Sequence, residues 1–241
     1  MSVENGEWII HGVEWDDPKR IRSYQELMHR INEIGFLPLF RNEIEGFSVE
    51  EHAAKDYWWS GNQEQDPWEW RGMIARTGEI AYGKFFHNKA GFISRKWLPY
   101  FVNYRRGGYD FDSRWDDELA SIRCKKIMDC FANRPEYASY DLKSDAGFGK
   151  GGEKNFDGIL TLLQMQCYLT IKDFRYRKNK QGVDYGWSVS IYTTPEALWG
   201  QDFTRSHYDE SPALSGESIL HQVKALYPSA DDKLIRKVIL G

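Results

Sequence analysis

Gln164 and Gln166 lie between an apolar run and a cation-rich stretch, and they are the side chains in this sequence best suited to chemistry. A carboxamide donates and accepts hydrogen bonds without carrying charge, so two that converge can hold a water molecule or a base edge. Convergence depends on the backbone. Residues two apart on a helix point about 200° away from each other, whereas on a strand or irregular turn they face the same side. The sequence permits either, because Leu163, Cys167, Thr170 and Phe174 can prolong the helix. It also permits two ordinary polar residues at a helix end. Just downstream, residues 172–182 carry five Lys or Arg (Lys172, Arg175, Arg177, Lys178, Lys180) against the single Asp173. Such a ribbon suits a phosphate backbone, or it is a solvated strand edge guarded by charge.

Upstream, Gly147-Phe-Gly-Lys-Gly-Gly-Glu-Lys-Asn155 satisfies G-x-G-x-x-G literally. A dinucleotide fold needs an apolar strand immediately before it, and Tyr140-Asp-Leu-Lys-Ser-Asp-Ala146 is not one. The phosphate-loop pattern fails as well, because Gly151 follows Lys150. What remains is a tight turn, or backbone N–H groups at a helix start that hold a DNA phosphate together with Lys150 and Lys154. The six histidines show no metal-ligand spacing, and no Gly-x-Ser-x-Gly elbow occurs. Asp116-Asp117 and Asp231-Asp232 fall at helix starts, where capping accounts for them. No cofactor and no metal is implied.

Elements that position these residues can be read from periodicity. Asp116 to Phe131 reads as a helix with Ala120, Cys124, Ile127, Met128 and Phe131 inward, ended by Pro135. Tyr137 to Ala146 reads as a short second helix, and Glu153 to Leu163 as a third that buries Phe156, Ile159, Leu160 and Leu163. A hairpin follows, in which Tyr185, Trp187, Val189 and Ile191 alternate. Three helices and a hairpin is the order of a winged helix, the helix-turn-helix variant whose third helix enters the major groove.

The expected fold class is therefore α+β, a winged helix over 112–195 behind an aromatic-rich α+β region over 21–111. Residues 1–20 read as a tail and 196–241 as a helical closure. In the N-terminal region, Ser23-Tyr-Gln-Glu26 is a capping box that opens a helix with Leu27, Ile31 and Ile34 on one face, stopped by Gly35. Ser48-Val-Glu-Glu51 is a second capping box, expected to start a short helix, and Asp66-Pro67-Trp68 opens a helix to about Thr77. Strands are expected over 80–86 and 90–93 around Asn88, and a helix from Trp97 to Tyr104. After Pro195 an irregular linker leads to two helices, one with Ile219, Leu220, Val223 and Leu226, the other with Leu234, Ile235 and Val238.

Composition narrows the function. Net charge is −4, so a nucleic-acid site must be a local patch on a mildly acidic body. Ten Trp, six of them between Trp58 and Trp115, supply core-filling area or stacking surfaces. The odd count of Cys124, Cys130 and Cys167, each within an apolar pattern, fits buried free thiols in a reducing compartment. No stretch approaches the ~18 apolar residues of a membrane span, and the N-terminus lacks a signal-peptide pattern. A cytoplasmic location, with no membrane partner, is expected.

The stretch Ile159-Leu-Thr-Leu-Leu-Gln164-Met165-Gln166-Cys-Tyr-Leu-Thr-Ile-Lys-Asp-Phe-Arg175 resembles the signature of the AlkZ-like DNA glycosylases, a leucine followed by Gln, an apolar residue and Gln, then an Arg. Trp68-Glu-Trp-Arg71 through Tyr82-Gly-Lys-Phe and Ala90-Gly-Phe-Ile-Ser94 looks like bacterial sequences labelled AlkZ-related. The resemblance implies a winged-helix fold, a double-stranded DNA partner and excision of alkylated bases. It assigns to Gln164 and Gln166 the catalytic task of positioning the attacking water, and to the basic hairpin a grip on the DNA backbone. The phosphate contacts expected are Lys150, Lys154, Arg175, Arg177, Lys178 and Lys180. The rival expectation is a non-enzymatic winged-helix regulator or protein-interaction module, in which the two glutamines diverge.

Overall fold

A computed structural model of the chain describes residues 2–4 and 7–240; residues 1, 5 and 6, within the expected tail, and residue 241 lie outside it. The elements are β1 (Ser2–Glu4), β2 (Glu7–Ile9), α1 (Tyr24–Ile34), β3 (Phe36–Pro38), α2 (Pro67–Thr77), β4 (Ile80–Phe86), β5 (Lys89–Ser94), α3 (Leu98–Arg106), α4 (Phe111–Asp116) and α5 (Ile122–Cys130). Then come β6 (Glu136–Ala138), α6 (Ser139–Asp145), α7 (Phe156–Met165), β7 (Thr170–Lys178), β8 (Asp184–Thr193), α8 (Pro195–Trp199), α9 (Gln201–Thr204), α10 (Pro212–Leu226) and α11 (Asp232–Ile235). A π-helical turn over Arg236–Leu240 ends the described chain. No described helix is long and apolar enough to cross a membrane.

The fold is mixed α+β, built on a six-stranded antiparallel sheet of order β3-β5-β4-β7-β8-β6. β4 is buried at every position but Lys84, the signature of a strand covered on both faces. It joins the two halves of the sheet through Tyr82, which pairs with Ile171, and the Thr170 hydroxyl donates to the Tyr82 carbonyl at 2.9 Å. The sheet thus runs across the expected boundary at 111/112. Beyond the junction, α5, α6, α7 and the β7–β8 hairpin follow in the expected order, but residues 136–138, at the start of the expected second helix, form the unexpected strand β6, which pairs with β8 on the side away from β7.

Several boundaries differ from expectation for local reasons. The helix expected over 116–131 begins only at Ile122, because α4 ends at Asp116, Glu118 adopts φ +59° and the Ser121 side chain caps a fresh start by accepting from Cys124 N–H at 3.3 Å. The third helix begins at Phe156, after Asn155 at φ +67°, and runs on through Met165. The Ser48 box does form, with Ser48 Oγ donating to Glu51 at 2.6 Å, yet it opens only a 3-10 turn over Glu50–His52. Residues expected as a linker after Pro195 form α8 and α9.

Two arginines closing α3 tie these pieces together. Arg105 donates to the carbonyls of Met165 at 3.0 Å and Ile239 at 2.7 Å, and also to that of Phe85. Arg106, 1 % exposed, donates to the Cys167 carbonyl at 2.6 Å and pairs with Glu196. Burial opposes its charge, but Glu196 and Tyr208 outweigh it and hold its pKa above the usual value. The end of α7 therefore rests on buried guanidinium groups. Of the cysteines, Cys124 and Cys167 are buried, Cys130 is half-buried, and all three are free.

Candidate nucleic-acid interface and aromatic cleft

α7 buries Phe156, Ile159, Leu160 and Leu163 at helical spacing, and that same face carries Gln164, which is 1 % exposed. Both ends of its amide are engaged. Nε2 donates to the Leu160 carbonyl at 3.0 Å, and Oε1 accepts from the Lys84 backbone N–H at 3.0 Å. A side chain on Gly83 would approach that oxygen to 3.2 Å and the Phe85 ring to 2.9 Å, so glycine there lets helix and strand meet. Gln166 closes the helix with its N–H on the Leu162 carbonyl at 2.9 Å, and its half-buried side chain makes no hydrogen bond among the described residues. The helical backbone through Met165 sends the two glutamines to different sides. No hydrogen bond joins them among the described residues, and neither is among the residues lining the aromatic cleft around Arg71.

The basic ribbon becomes β7 and the start of a long hairpin with β8. Its inner half is core: Ile171, Ile191 and Tyr192 are buried, and burial pushes the Tyr192 phenol up to about 12. Residues 175–187 are exposed throughout. Gly186, at φ +71°, lies where the register slips between Arg175–Val189 and Arg177–Tyr185. Beside it Trp187 is 88 % exposed, flanked by exposed Tyr176 and Tyr185. The run expected to alternate at Tyr185, Trp187, Val189 and Ile191 thus passes from buried Ile191 to exposed Trp187 and Tyr185 across this irregularity.

The six expected phosphate contacts separate into two kinds. Arg175 is committed at the hairpin root, donating to Asp173 at 2.8 Å and to Glu136 at 2.9 Å, and Lys172 shares Glu136 at 2.7 Å. Arg177 lies over the Tyr140 ring of α6 at 4.5 Å, while Lys178 and Lys180 hold no ion pair among the described residues. Lys150 and Lys154 are also exposed and without an ion pair among the described residues. Much of the glycine loop beside them closes on itself, while the start of α7 at Phe156 carries no side-chain cap. The N–H groups of Phe148, Gly149, Gly152 and Glu153 all bond inside the segment, to Lys143, Glu153, Gly149 and Gly147 respectively. Glu153 turns back to Arg123 and Lys126 at 3.0 and 2.8 Å.

Arg71 did not stand out in the sequence. It lines a cleft of about 670 Å³ between α2, the β4–β5 turn and the hairpin root. Its guanidinium is sandwiched between the rings of Trp68 at 3.7 Å and Phe174 at 3.8 Å. The Trp68/Arg71 spacing of three on a helix was a legible signal for the first contact. The second joins residues far apart in the sequence. Gly72 packs against Phe174 beside it, where a Cβ would meet the ring at an ordinary contact distance of 3.4 Å. Burial lowers the Arg71 pKa, countered in part by Tyr82 and Glu69.

Replacing Gln164 by Ala leaves the Lys84 N–H buried without a partner and should cost about 2 kcal/mol, a fall in Tm of roughly 4–8 °C. Gln166→Ala should stay within about 0.5 kcal/mol of the parent. Thermal melts of the two variants check this, and equal small effects would remove the clamp. At the hairpin root, Lys172 foremost and then Arg175 hold the Glu136 carboxyl below its ordinary range. A depressed carboxyl stabilises above its unfolded pKa, and that contribution is lost as pH falls through the folded value. Glu136→Gln should therefore lower Tm at pH 7, and the difference from the parent should vanish in acid.

With this geometry in hand, comparison with known proteins gives one family. The family model described as AlkZ related matches residues 21–240. No curated protein and no solved structure matches. From Ile21 to Leu240, across both halves of the sheet, the chain belongs to the AlkZ-related family.

Proposed function

We propose that this protein binds double-stranded DNA, with residues 112–195 acting as a winged-helix module and the 175–188 hairpin as its wing. The observation that carries this is the division of cations along the hairpin. Lys172 and Arg175 are neutralised by Glu136 and Asp173 at the root, while Arg177, Lys178 and Lys180 are exposed and without a carboxylate partner among the described residues, beside three exposed rings. Unpaired cations with aromatic side chains between them suit a phosphate backbone and adjoining bases. Support also comes from the strand order β7-β8-β6 behind α5, α6 and α7, and from the family, whose name points to DNA repair. In this reading Lys150 and Lys154 add phosphate contacts beside the uncapped start of α7.

Glutamine geometry favours a binding role over catalysis by the pair. Gln164 is 1 % exposed and holds Leu160 and Lys84 with one amide hydrogen and one oxygen lone pair, so excision of an alkylated base by Gln164 and Gln166 requires a water to reach its remaining hydrogen or lone pair. A base-release assay on a duplex carrying N7-methylguanine tests that activity, and release that Gln166→Ala abolishes would restore the catalytic assignment.

Fluorescence anisotropy with a short duplex tests the wing. Lys178→Glu/Lys180→Glu should weaken binding and make the slope of log K against log salt shallower by about 2. Trp187→Ala should weaken binding without changing that slope. A duplex bound equally well by both variants and the parent would refute the wing as the contact.

A further inference from the structure

The cleft around Arg71 lies apart from the exposed half of the hairpin and has a chemistry of its own. Arg71 is 7 % exposed, makes no ion pair among the described residues, and leaves its buried Nε without a hydrogen-bond partner. A buried guanidinium without an ion pair is costly, and its planar fork is shaped for a bidentate anion. Lys84, Lys89 and Asn88 stand at the same cleft, and Ser188 and Ser190 add hydroxyls. None of the lining residues is acidic. The remaining wall is aromatic, with Phe40 and Tyr82 beside Trp68 and Phe174. At about 670 Å³ the volume falls within the range of small-molecule sites. One group on an anion needs Arg71 alone. Two lysines, an amide and two hydroxyls around flat rings call for an anion attached to a planar heterocycle.

We infer that this cleft binds a nucleotide unit, a planar base carrying one phosphate, with Arg71 receiving the phosphate and the aromatic wall stacking the base. The same chemistry reaches the cleft from two sources, a free mononucleotide or a nucleotide displaced from a DNA strand. The inference stands on the cleft alone and does not require the hairpin to bind duplex.

Isothermal titration calorimetry of the full chain with deoxyadenosine monophosphate, deoxyadenosine and inorganic phosphate tests it. The nucleotide should bind one to one, and the nucleoside about tenfold more weakly or worse. Arg71→Met keeps an unbranched stem between the two rings, and it should lose about tenfold in nucleotide affinity while Tm shows that the fold persists. If that variant does not fold, Lys84→Ala/Lys89→Ala at the exposed mouth is measured instead and should show a loss of the same sign. The inference is overturned by no binding at about 10 mM nucleotide, by equal affinity for nucleotide and nucleoside, or by unchanged affinity in the folded variant. Competition by a duplex with one extrahelical adenosine assigns the ligand to DNA, and its absence assigns it to the free nucleotide. Lys178→Glu/Lys180→Glu should retain nucleotide binding, which separates failure here from failure of the wing.

Discussion

β4 is the strand on which the rest of the molecule depends. It is the strand by which the β3-β5-β4 half of the sheet meets β7, and that link is the single register pair Tyr82–Ile171 reinforced by the Thr170 hydroxyl. A junction that short needs support out of the plane. Gln164 supplies it from α7 by accepting the Lys84 N–H, and Gly83 supplies the clearance. On the neighbouring side chain, Tyr82 lines the cleft that holds Arg71. An amide that lay open to solvent at Gln164 would leave the Lys84 N–H unpaired in the core, so the structural task of this glutamine competes directly with any task as a water-positioning group.

The hairpin shows how one strand serves both core and solvent. Where β7 lies against α2 and β4, its residues are apolar or paired, as with Ile171 and Asp173. Past Phe174 the residues are exposed, α6 reaching the strand through Tyr140 against Arg177, and the side chains turn polar and aromatic. The cations nearest the core are held by Glu136 and Asp173, which fixes the direction in which the hairpin leaves the sheet. Only the outer cations are spared for a partner. This division also explains how a chain of net charge −4 can offer a basic surface.

Much of this architecture was legible in the sequence. The Ser23 cap, the Gly35 stop, the Pro67 start and the strand over 80–86 all appear where local chemistry puts them. So do the hairpin and the apolar face of α7. Illegible features are those decided by long-range contact or by unusual backbone. Cys167 takes φ +59° just after α7, a left-handed position usually given to glycine, and is held there by Arg106 on its carbonyl. That turn ends the helix before residues 167–174 can extend it, so the two glutamines stay on a helix and its cap, where they diverge. Glu118 breaks the expected helix over 116–131 in the same left-handed conformation. The sandwich of Trp68, Arg71 and Phe174 needed the meeting of α2 with β7, which no local pattern announces. The pairing of Arg175 with Glu136 and Asp173 likewise came only with the fold, and it removes from the free cations one that composition alone counts among them.

Hydrogen exchange of the chain with and without a DNA duplex carrying one extrahelical nucleotide addresses the central claim most directly. The account predicts protection of residues 175–188, where the wing meets the backbone, and of residues 68–72 and 82–90 around the Arg71 cleft. Protection confined to other surfaces, with the hairpin and the cleft exchanging as in the free protein, would contradict it.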